Sequence, residues 1–520
     1  MAMKVALITG RLASSKAWEQ AKLLEGIGYS VDVIAAPVDV ALFIPPSRIA
    51  DLVSGKNYDI VVVPGRWRHD TKALETKLGT RVVRGPTHID DLYWVAKKLP
   101  IEQWDAELAA EELVVESNMR RIKEWYFEGS RKTPFFQSSF SNVKIPSVPP
   151  PIIPVAEVYP GDDVESKIMR VVELGYEALV LGYYEEQDLD TIERHVNIIE
   201  KLGFNGIIGV DGLTPATQGK LARGDSSVEL YLSVNPETAW IYARDPEVWK
   251  DKLLVTLPFA PGHEIATKDI VKRLEDTVRV LEREGIHHTL IDVSLPPPGV
   301  SSILDKLSTL KTSVKLLGKP GFTGVSNIVE LFDADSPGLI ALMTALSIEA
   351  GSVMMLVTEE SVKTRGVFNE ALESSMLTSY AYANNRPPKD LGLNLLYLKR
   401  KRDPTLKPQG QRKTVGREKG FTSQPVGGWD PGGSVVITID HANCSILYKW
   451  FDEEDWYEAG SWRDAAEHIY STRRLTHLGH ALYLGRELFK AELSIRLCRG
   501  YIQDEDFLQG KTLCCDTKHT

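Results

Sequence analysis

Cysteine is scarce in this sequence of 520 residues, which has four: Cys444, Cys498, Cys514 and Cys515. Their spacing fits neither a disulfide framework nor a zinc site and indicates a reducing compartment. Basic residues are not in excess either, since 61 lysines and arginines face 71 acidic residues and the formal net charge is -10. Because nucleic-acid binding needs a basic surface, we expect no nucleic-acid partner.

Long apolar runs are also rare, and the least polar stretch extends from Ser336 to Thr358 with Glu349 as its one charged residue. A membrane helix would fit this length. However, Ser336-Pro337 is typical of a helix start and Gly351 of a helix end, so the pattern predicts a buried helix and then a strand. The first residues read as a strand and not as a signal peptide. We therefore expect a cytoplasmic protein with no membrane partner.

Residues 1–100 alternate apolar strands with amphipathic helices and contain no glycine-rich phosphate fingerprint. The predicted strands are 4–9, 30–35, 59–63 and 81–84. Buried strands separated by helices indicate a parallel sheet, here a small Rossmann-like α/β domain. Residues 101–151 then give a charged amphipathic helix and a proline-rich segment that ends in Pro149-Pro150-Pro151, which predicts a linker.

A regular strand–helix rhythm begins at residue 152 and predicts a third unit, residues 152–385. Its eight predicted strands are 152–159, 178–183, 206–211, 229–235, 253–259, 288–293, 314–318 and 352–358. Eight such steps in about 210 residues favour a (β/α)8 TIM barrel over an open doubly wound sheet. The predicted fold class is thus α/β, with a central barrel between two smaller domains.

Residues 386–510 predict a small α+β domain with strands at 434–440 and 445–451 and a long helix over 461–498. Within it, a basic segment at 399–419 precedes the first predicted strand. Such runs are usually solvated loops, although this one could attract a phosphorylated substrate. Five residues could be weighed as metal ligands: His441, Cys444, His468, His477 and His480. Because no third ligand is fixed by spacing, we interpret the histidines as structural and predict no metal site.

Polar residues end four of the apolar barrel strands: Glu157 the first, Asp211 the third, Asn235 the fourth and Asp292 the sixth. Active sites of such barrels lie at the carboxyl ends of the strands. A carboxylate can accept two parallel hydrogen bonds from a ring N–H and an exocyclic amine, and an amide can both donate and accept. These groups suit a fused heterocycle with a cyclic guanidine edge, although each acid alone could be a helix cap or a structural ion-pair partner.

Several of these segments resemble dihydropteroate synthases. The similar runs are Gly209-Val210-Asp211-Gly212, Leu230 to Asn235, Leu290-Ile291-Asp292-Val293 and Gly324-Val325-Ser326-Asn327. Residues 330–338, 359–364 and 388–392 are further similar to archaeal proteins related to dihydropteroate synthase, which carry extra N- and C-terminal domains. The resemblance covers nearly the whole chain. It implies that Asp211, Asn235, Asp292 and Asn327 bind a pterin.

The resemblance implies a transferase that condenses a dihydropterin-methyl diphosphate with an arylamine in methanopterin biosynthesis. Mg²⁺ would arrive with the diphosphate; no tightly bound cofactor is expected, and a homodimer is an open possibility. Two departures concern the diphosphate end. Ile328 replaces the lysine that follows the Gly-x-Ser-Arg/Asn loop, and residues 357–361 lack the Arg-x-His pair. Ser326, Ser361 and Lys363 are the candidate phosphate-binding substitutes, and no catalytic residue is assigned.

These departures leave two alternatives open. The first is a domain that binds a methylated pterin for methyl transfer, although the sequence has no corrinoid-domain signature. The second is a non-catalytic pterin-binding protein. Neither the identity of the arylamine nor the ligands of the two outer domains follow from the sequence.

Overall fold

The computed structural model describes residues 2–129, 131, 134–260, 267–398, 430–472, 474–505 and 507. The chain begins with a four-stranded parallel sheet whose strand order is β2-β1-β3-β4. Its strands are β1 (Met3–Thr9), β2 (Tyr29–Ala35), β3 (Ile60–Val63) and β4 (Arg81–Arg84). Its helices are α1 (Ser14–Glu25), α2 (Pro46–Val53), α3 (Thr71–Leu78) and α4 (Leu92–Lys98). The predicted Rossmann-like layer is confirmed.

The segment between this sheet and the barrel is packed, although the sequence predicted a linker. The predicted helix from residue 101 is wrong in its first half, because α5 (Val115–Glu124) begins later and 3-10 turns precede it. Trp104 is fully buried in the core of the first domain, whereas Tyr126 is fully buried in the barrel core. Large apolar side chains of this segment therefore belong to the two neighbouring cores.

A two-stranded hairpin, β5 (Pro134–Gln137) and β6 (Lys144–Pro146), packs against the barrel interior through Phe136 and Ile145. Glu229 at the start of a barrel strand accepts hydrogen bonds from Ser138 Oγ at 2.5 Å and from the Ser139 amide at 2.6 Å. Strand starts and strand ends lie at opposite faces of a parallel barrel. The hairpin therefore covers the face opposite the predicted site.

The barrel closes with eight parallel strands, as predicted. They are β7 (Ile153–Val158), β8 (Ala178–Gly182), β9 (Ile207–Asp211), β10 (Val228–Val234), β11 (Leu253–Thr256), β12 (Thr289–Ile291), β13 (Gly321–Gly324) and β14 (Ser352–Thr358). The predicted seventh strand, 314–318, is wrong. That apolar run ends a helix, which stops at Gly318 in the left-handed conformation (φ 65°), and the strand follows it.

The helices α6 (Val164–Leu174), α7 (Leu189–Lys201), α8 (Pro215–Arg223), α9 (Ala239–Ala243), α10 (Pro246–Trp249), α11 (Thr267–Arg283), α12 (Ile303–Leu317), α13 (Ser326–Glu330), α14 (Ser336–Ala350) and α15 (Val367–Ala383) belong to the barrel. The apolar stretch from Ser336 forms α14 and then β14, as its start and end signals predict. Among the described residues, we find no helix long and apolar enough to cross a membrane.

The last domain is an antiparallel sheet of β15 (Val435–Asp440), β16 (Ser445–Trp450) and β17 (Tyr457–Ala459) with helices α16 (Trp462–Ser471) and α17 (Leu478–Arg496). The single long helix predicted over 461–498 is therefore two helices. At the break, the Asp430 carboxylate accepts hydrogen bonds from the amides of Thr476 and His477. The basic segment 399–419 lies outside the described residues.

A buried charge cluster joins the first domain to the chain segments that precede and follow the barrel. Asp91 accepts a 2.9 Å hydrogen bond from Arg386, which follows α15, and a 3.2 Å bond from Arg121, which lies on α5. The Asp91 and Arg386 side chains are both only 8% exposed. Nearby, Arg66 of the first domain forms an ion pair with the buried Asp390. These paired charges hold the first domain against the barrel.

Candidate functional site at the barrel mouth

Alternate residues of the barrel strands fill its interior. On β7 these are Ile153 and Val155, on β9 Ile207, and on β12 Leu290. Because side chains alternate along a strand, the next inward positions at the carboxyl ends are Glu157, Asp211 and Asp292. The structure thus places the two predicted aspartates, together with a third acid, at the mouth of the barrel.

Two neighbouring groups donate hydrogen bonds to one oxygen of the Asp211 carboxylate. Its Oδ1 atom accepts a 2.7 Å hydrogen bond from Ser233 Oγ and a 2.8 Å bond from the Gly212 amide. Ser233 adopts a left-handed backbone conformation with φ 71°, which is unfavourable for a residue with a side chain. This conformation interrupts the alternation at the end of β10 and directs the hydroxyl toward Asp211.

Asn235 follows β10 and is only 3% exposed. Its Nδ2 atom donates a 3.2 Å hydrogen bond to the Ser233 carbonyl, and its Oδ1 atom accepts one of 3.1 Å from the Glu237 amide. An amide has two donor hydrogens and two acceptor lone pairs, so one of each is still available for a ligand. Ser233 therefore links Asn235 to Asp211.

Asp292 lies directly after β12 and is 9% exposed. Its Oδ1 atom accepts a 2.8 Å hydrogen bond from the Ser294 amide. Burial, opposed by that hydrogen bond and aided by the negative charge of Asp211, raises the pKa of Asp292 to about 7. Lys306 on α12 partly offsets the rise. Asp292 can thus be present both as an acid and as a carboxylate near neutral pH.

Glu157 is the most deeply buried acid of the mouth, with 5% of its surface exposed. Burial and the nearby charge of Asp211 raise its pKa to about 8, against a hydrogen bond from Tyr159 that lowers it. A Cβ atom on Gly182 would lie 2.9 Å from Glu157 Oε1, so the absence of a side chain there leaves room for the carboxyl group. Glu157 is mainly neutral at pH 7 on this basis.

Two hydroxyl groups at the mouth are buried and have no hydrogen-bond partner among the described residues: Thr358 Oγ1 and Ser326 Oγ. Thr358 is the strand neighbour of Glu157 in the β14–β7 pair. Gly324, the inward residue that ends β13, has no atom within 4 Å of the position a Cβ would occupy. Because buried polar groups are normally paired, these hydroxyls mark a space suited to a ligand.

The other predicted site residues lie on the segments that follow β13 and β14. Asn327 Nδ2 donates a 3.2 Å hydrogen bond to the Leu295 carbonyl, which connects the loop after β13 to the loop after β12. Ser361 Oγ accepts a 3.2 Å hydrogen bond from the Lys363 amide. Lys363 Nζ forms a 3.1 Å ion pair with the exposed Asp333. The structure therefore brings Ser326 and Asn327 to the β13 end and places Lys363 in a surface ion pair.

Three cations near the end of β14 are already paired with acids. Lys167 is 3.3 Å from Glu360, Arg170 is 3.2 Å from Glu359, and Lys363 is paired as above. Within the described parts of the chain, no group of three or more histidines, cysteines or acids could hold a metal ion. Among the described residues near the end of β14, these three cations are therefore neutralised by carboxylates.

Glu157, Ser233 and Thr358 belong to the mouth. The sequence placed Glu157 at the end of the first strand, but it gave none of the three a binding role. A signal for Glu157 was present, because it follows Ile153 and Val155 at a spacing of two and ends an inward-facing row. Thr358 has the same signal on β14, where Met354 and Leu356 precede it. Ser233 gave none, since its role depends on a left-handed backbone that the strand pattern does not predict.

The fold and the site define a TIM-barrel protein whose mouth carries three acids, two of them buried, together with an amide and two hydroxyls that have no partner among the described residues. Residues 429–504, a range that includes the strands and helices of the last domain, match the family model described as PterinBD-DUF4346. The chain is also 27% identical over 548 aligned positions to an uncharacterized protein of Methanocaldococcus jannaschii, across 97% of this chain and 99% of that relative.

Among solved structures, the dihydropteroate synthase of Xanthomonas albilineans in complex with 7,8-dihydropteroate is 18% identical, with a TM-score of 0.35 over 46% of this chain and 95% of that one. Dihydropteroate synthase of Thermus thermophilus is 17% identical, with a TM-score of 0.33 over 43% of this chain and 91% of that one. The matches of residues 429–504 to the pterin-binding family model and of nearly the whole chain to an archaeal protein agree with the predicted resemblance.

Proposed function

We propose that this chain is a dihydropteroate synthase-like transferase that binds a pterin at the barrel mouth. The observation that carries the proposal is the set of Asp211, Asn235 and Asp292, which lie at the ends of three strands, the first two cross-linked through Ser233. Carboxyl groups are costly to bury, which favours a ligand that supplies hydrogen-bond donors to them. The ring N–H and amino group of a pterin supply two parallel donors.

The reaction that we propose joins a dihydropterin-methyl diphosphate to an arylamine. The amine nitrogen attacks the methylene carbon of the pterin, and the carbon–oxygen bond to the diphosphate breaks. The diphosphate leaves with the electron pair, and the ring stabilises the positive charge that develops on the methylene. The protein then mainly has to orient the two substrates and stabilise this charge distribution. Mg²⁺ would accompany the diphosphate. In methanopterin synthesis the amine is a ribofuranosyl-aminobenzene phosphate.

A second candidate is a domain that binds a pterin without a diphosphate, either a methylated pterin for methyl transfer or a pterin held without reaction. The ion pairs at the end of β14 favour it, because Lys167 and Arg170 are engaged by Glu360 and Glu359. A diphosphate at this end would have to compete with two carboxylates for those cations. Repulsion between like charges would weaken such binding.

Titration calorimetry separates the two candidates. The ligands are dihydropterin-methyl diphosphate with Mg²⁺, a methyl-tetrahydropterin, and the unsubstituted dihydropterin, each titrated into the full chain. The transferase should bind only the dihydropterin-methyl diphosphate tightly among the three ligands. It should then condense this ligand with 4-aminobenzoate or with a ribofuranosyl-aminobenzene phosphate. Equal affinity for all three ligands and no condensation would contradict it. Asp292→Asn serves as the matched control, since it should weaken all three pterins equally.

A further inference from the structure

Glu157 and Thr358 form a pair of polar groups at the mouth that pterin binding leaves unused. The two residues are opposite each other in the parallel β14–β7 pair and both continue inward-facing rows of apolar residues. Thr358 Oγ1 is buried without a hydrogen-bond partner among the described residues. In its ionised form, a carboxylate beside such a hydroxyl can accept a proton from a small polar group that lies between them.

The pair borders the space over Gly324, where the position of a Cβ has no atom within 4 Å. Glu157 is close enough to Asp211 for the two charges to interact, and Asp211 interacts likewise with Asp292. A heterocycle held by Asp211 and Asp292 would therefore have Glu157 at its side, toward β14. Gly182 is part of this arrangement, because any side chain there would collide with the Glu157 carboxyl group and the Tyr159 ring.

We propose that Glu157 is the proton acceptor for the amine of the second substrate and that the Thr358 hydroxyl orients that amine. The inference rests on the transferase function proposed above. In the step, the amine lone pair forms the new bond to the methylene carbon while the carbon–oxygen bond to the diphosphate breaks. The resulting ammonium transfers one proton to the Glu157 carboxylate, which later releases it to water. Diphosphate leaves with the bonding electron pair, and no oxidant or reductant is needed.

The groups that face Glu157 determine when it can accept a proton. They are Tyr159 beyond the end of its own strand, Asp211 on β9, Glu360 after β14, and Tyr184 after β8. Burial and the negative charges of Asp211 and Glu360 raise the pKa of Glu157 to about 8, although the Tyr159 hydrogen bond opposes this rise. The condensation rate should therefore increase as the pH rises through about 8, because the carboxylate is the base.

The test measures condensation rate, KM for the arylamine and pterin affinity in the full chain and in two variants. Glu157→Gln has nearly the same shape as the neutral acid and should lower kcat by about 100-fold or more while pterin affinity changes by less than about twofold. It should also remove the rise in rate near pH 8. Thr358→Val should raise KM for the amine about fivefold, and Thr358→Ser should restore it.

The outcomes separate this inference from the function on which it rests. If the wild-type chain binds pterin but catalyses no condensation, the transferase function fails and this inference fails with it. If the wild-type chain is active and Glu157→Gln keeps the same kcat and the same pH profile, the role of Glu157 alone is overturned. Loss of pterin affinity in Glu157→Gln would reassign Glu157 to pterin binding and would likewise overturn its role as proton acceptor.

Discussion

The Ser233 hydroxyl donates a 2.7 Å hydrogen bond to Oδ1 of Asp211 from a residue whose φ is 71°. A left-handed residue with a side chain costs roughly 1 kcal/mol or more relative to glycine. The chain thus retains an unfavourable backbone conformation at the point where the hydroxyl reaches the site acid. Such strain is typical of functional sites.

Two substitutions of Ser233 separate the effect of its hydroxyl on binding from the effect of its backbone strain on stability. Both Ser233→Ala and Ser233→Gly remove the donor to Asp211, so both should weaken pterin binding by about 1 kcal/mol. Only glycine relaxes the backbone, so Ser233→Gly should unfold with a free energy about 1 kcal/mol higher than Ser233→Ala. Calorimetry and urea unfolding measure the two effects. Equal stability of the variants would show that the positive φ carries no cost.

Replacing Asp292 should weaken pterin binding, because the carboxylate accepts donors that an asparagine cannot all pair. We expect Asp292→Asn to lower the affinity by about 1–3 kcal/mol. Titration calorimetry at pH 8, where the wild-type carboxyl group is mainly ionised, measures the difference. An unchanged affinity would remove Asp292 from the site. Lys72→Ala, which alters the exposed pair with Glu107 in the first domain, is the matched control and should not change pterin affinity.

Pterin affinity should also depend on pH through Asp292. Since its pKa is about 7, the carboxylate fraction rises about tenfold from pH 6 to pH 8, and affinity should rise by a similar factor. Binding should release a proton, which calorimetry in two buffers of different ionisation enthalpy detects. The Asp292→Asn variant should lose most of this dependence. A wild-type affinity that stays constant over this range would show that the acid form binds equally well.

Glu157 should make the stability of the fold depend on pH. Its folded pKa of about 8 lies above the ordinary value of 4.5, so the folded state holds the proton more tightly than the unfolded state. This contribution is complete below about pH 4.5 and is lost as the pH rises through about 8. Relative to Glu157→Gln, the wild-type chain should therefore lose stability between pH 5 and pH 9, by on the order of 4 kcal/mol. Urea unfolding at both pH values tests this, and parallel changes in the two chains would contradict it.

The Asp91 cluster should stabilise the chain more than a surface ion pair does. Asp91→Ala leaves Arg386 buried without its carboxylate partner and should lower the free energy of unfolding by about 3 kcal/mol or more. Lys16→Ala breaks the exposed Lys16–Asp90 pair, in which both side chains are about half exposed, and should cost less than about 1 kcal/mol. Similar losses in both variants, measured by urea unfolding, would show that burial adds nothing to the Asp91 pairs.

Much of the barrel could be predicted from the sequence, because seven of its eight strands coincide with short apolar runs that the sequence shows. Asp211 and Asp292 could be placed at strand ends for the same reason. The pattern misled at 314–318, where an apolar run of strand length is the last turn of α12. Periodicity cannot distinguish a short buried strand from a buried helical turn, and Gly318 was the available signal.

Other features depend on contacts between distant residues. The break between α16 and α17 lies where Asp430 binds the Thr476 and His477 amides. No proline or glycine stands between the two helices, and Gly479 is already the second residue of α17. Trp104 and Tyr126 lie in a charged and proline-containing stretch that resembles a linker, yet each fills a different core. The roles of Ser233 and Thr358 likewise follow from backbone conformation and strand register, which only the folded chain defines.

The double attachment at Asp91 has a consequence for the order of assembly. Arg121 is synthesised 30 residues after Asp91, whereas Arg386 is synthesised 295 residues after it and only once all eight barrel strands exist. During synthesis, Asp91 can therefore pair with Arg121 long before Arg386 emerges from the ribosome. We expect a protease to cleave the first domain rapidly in nascent chains stalled before residue 386. In chains stalled well beyond residue 386, the first domain should resist cleavage. Equal resistance at both lengths would show that Arg121 suffices.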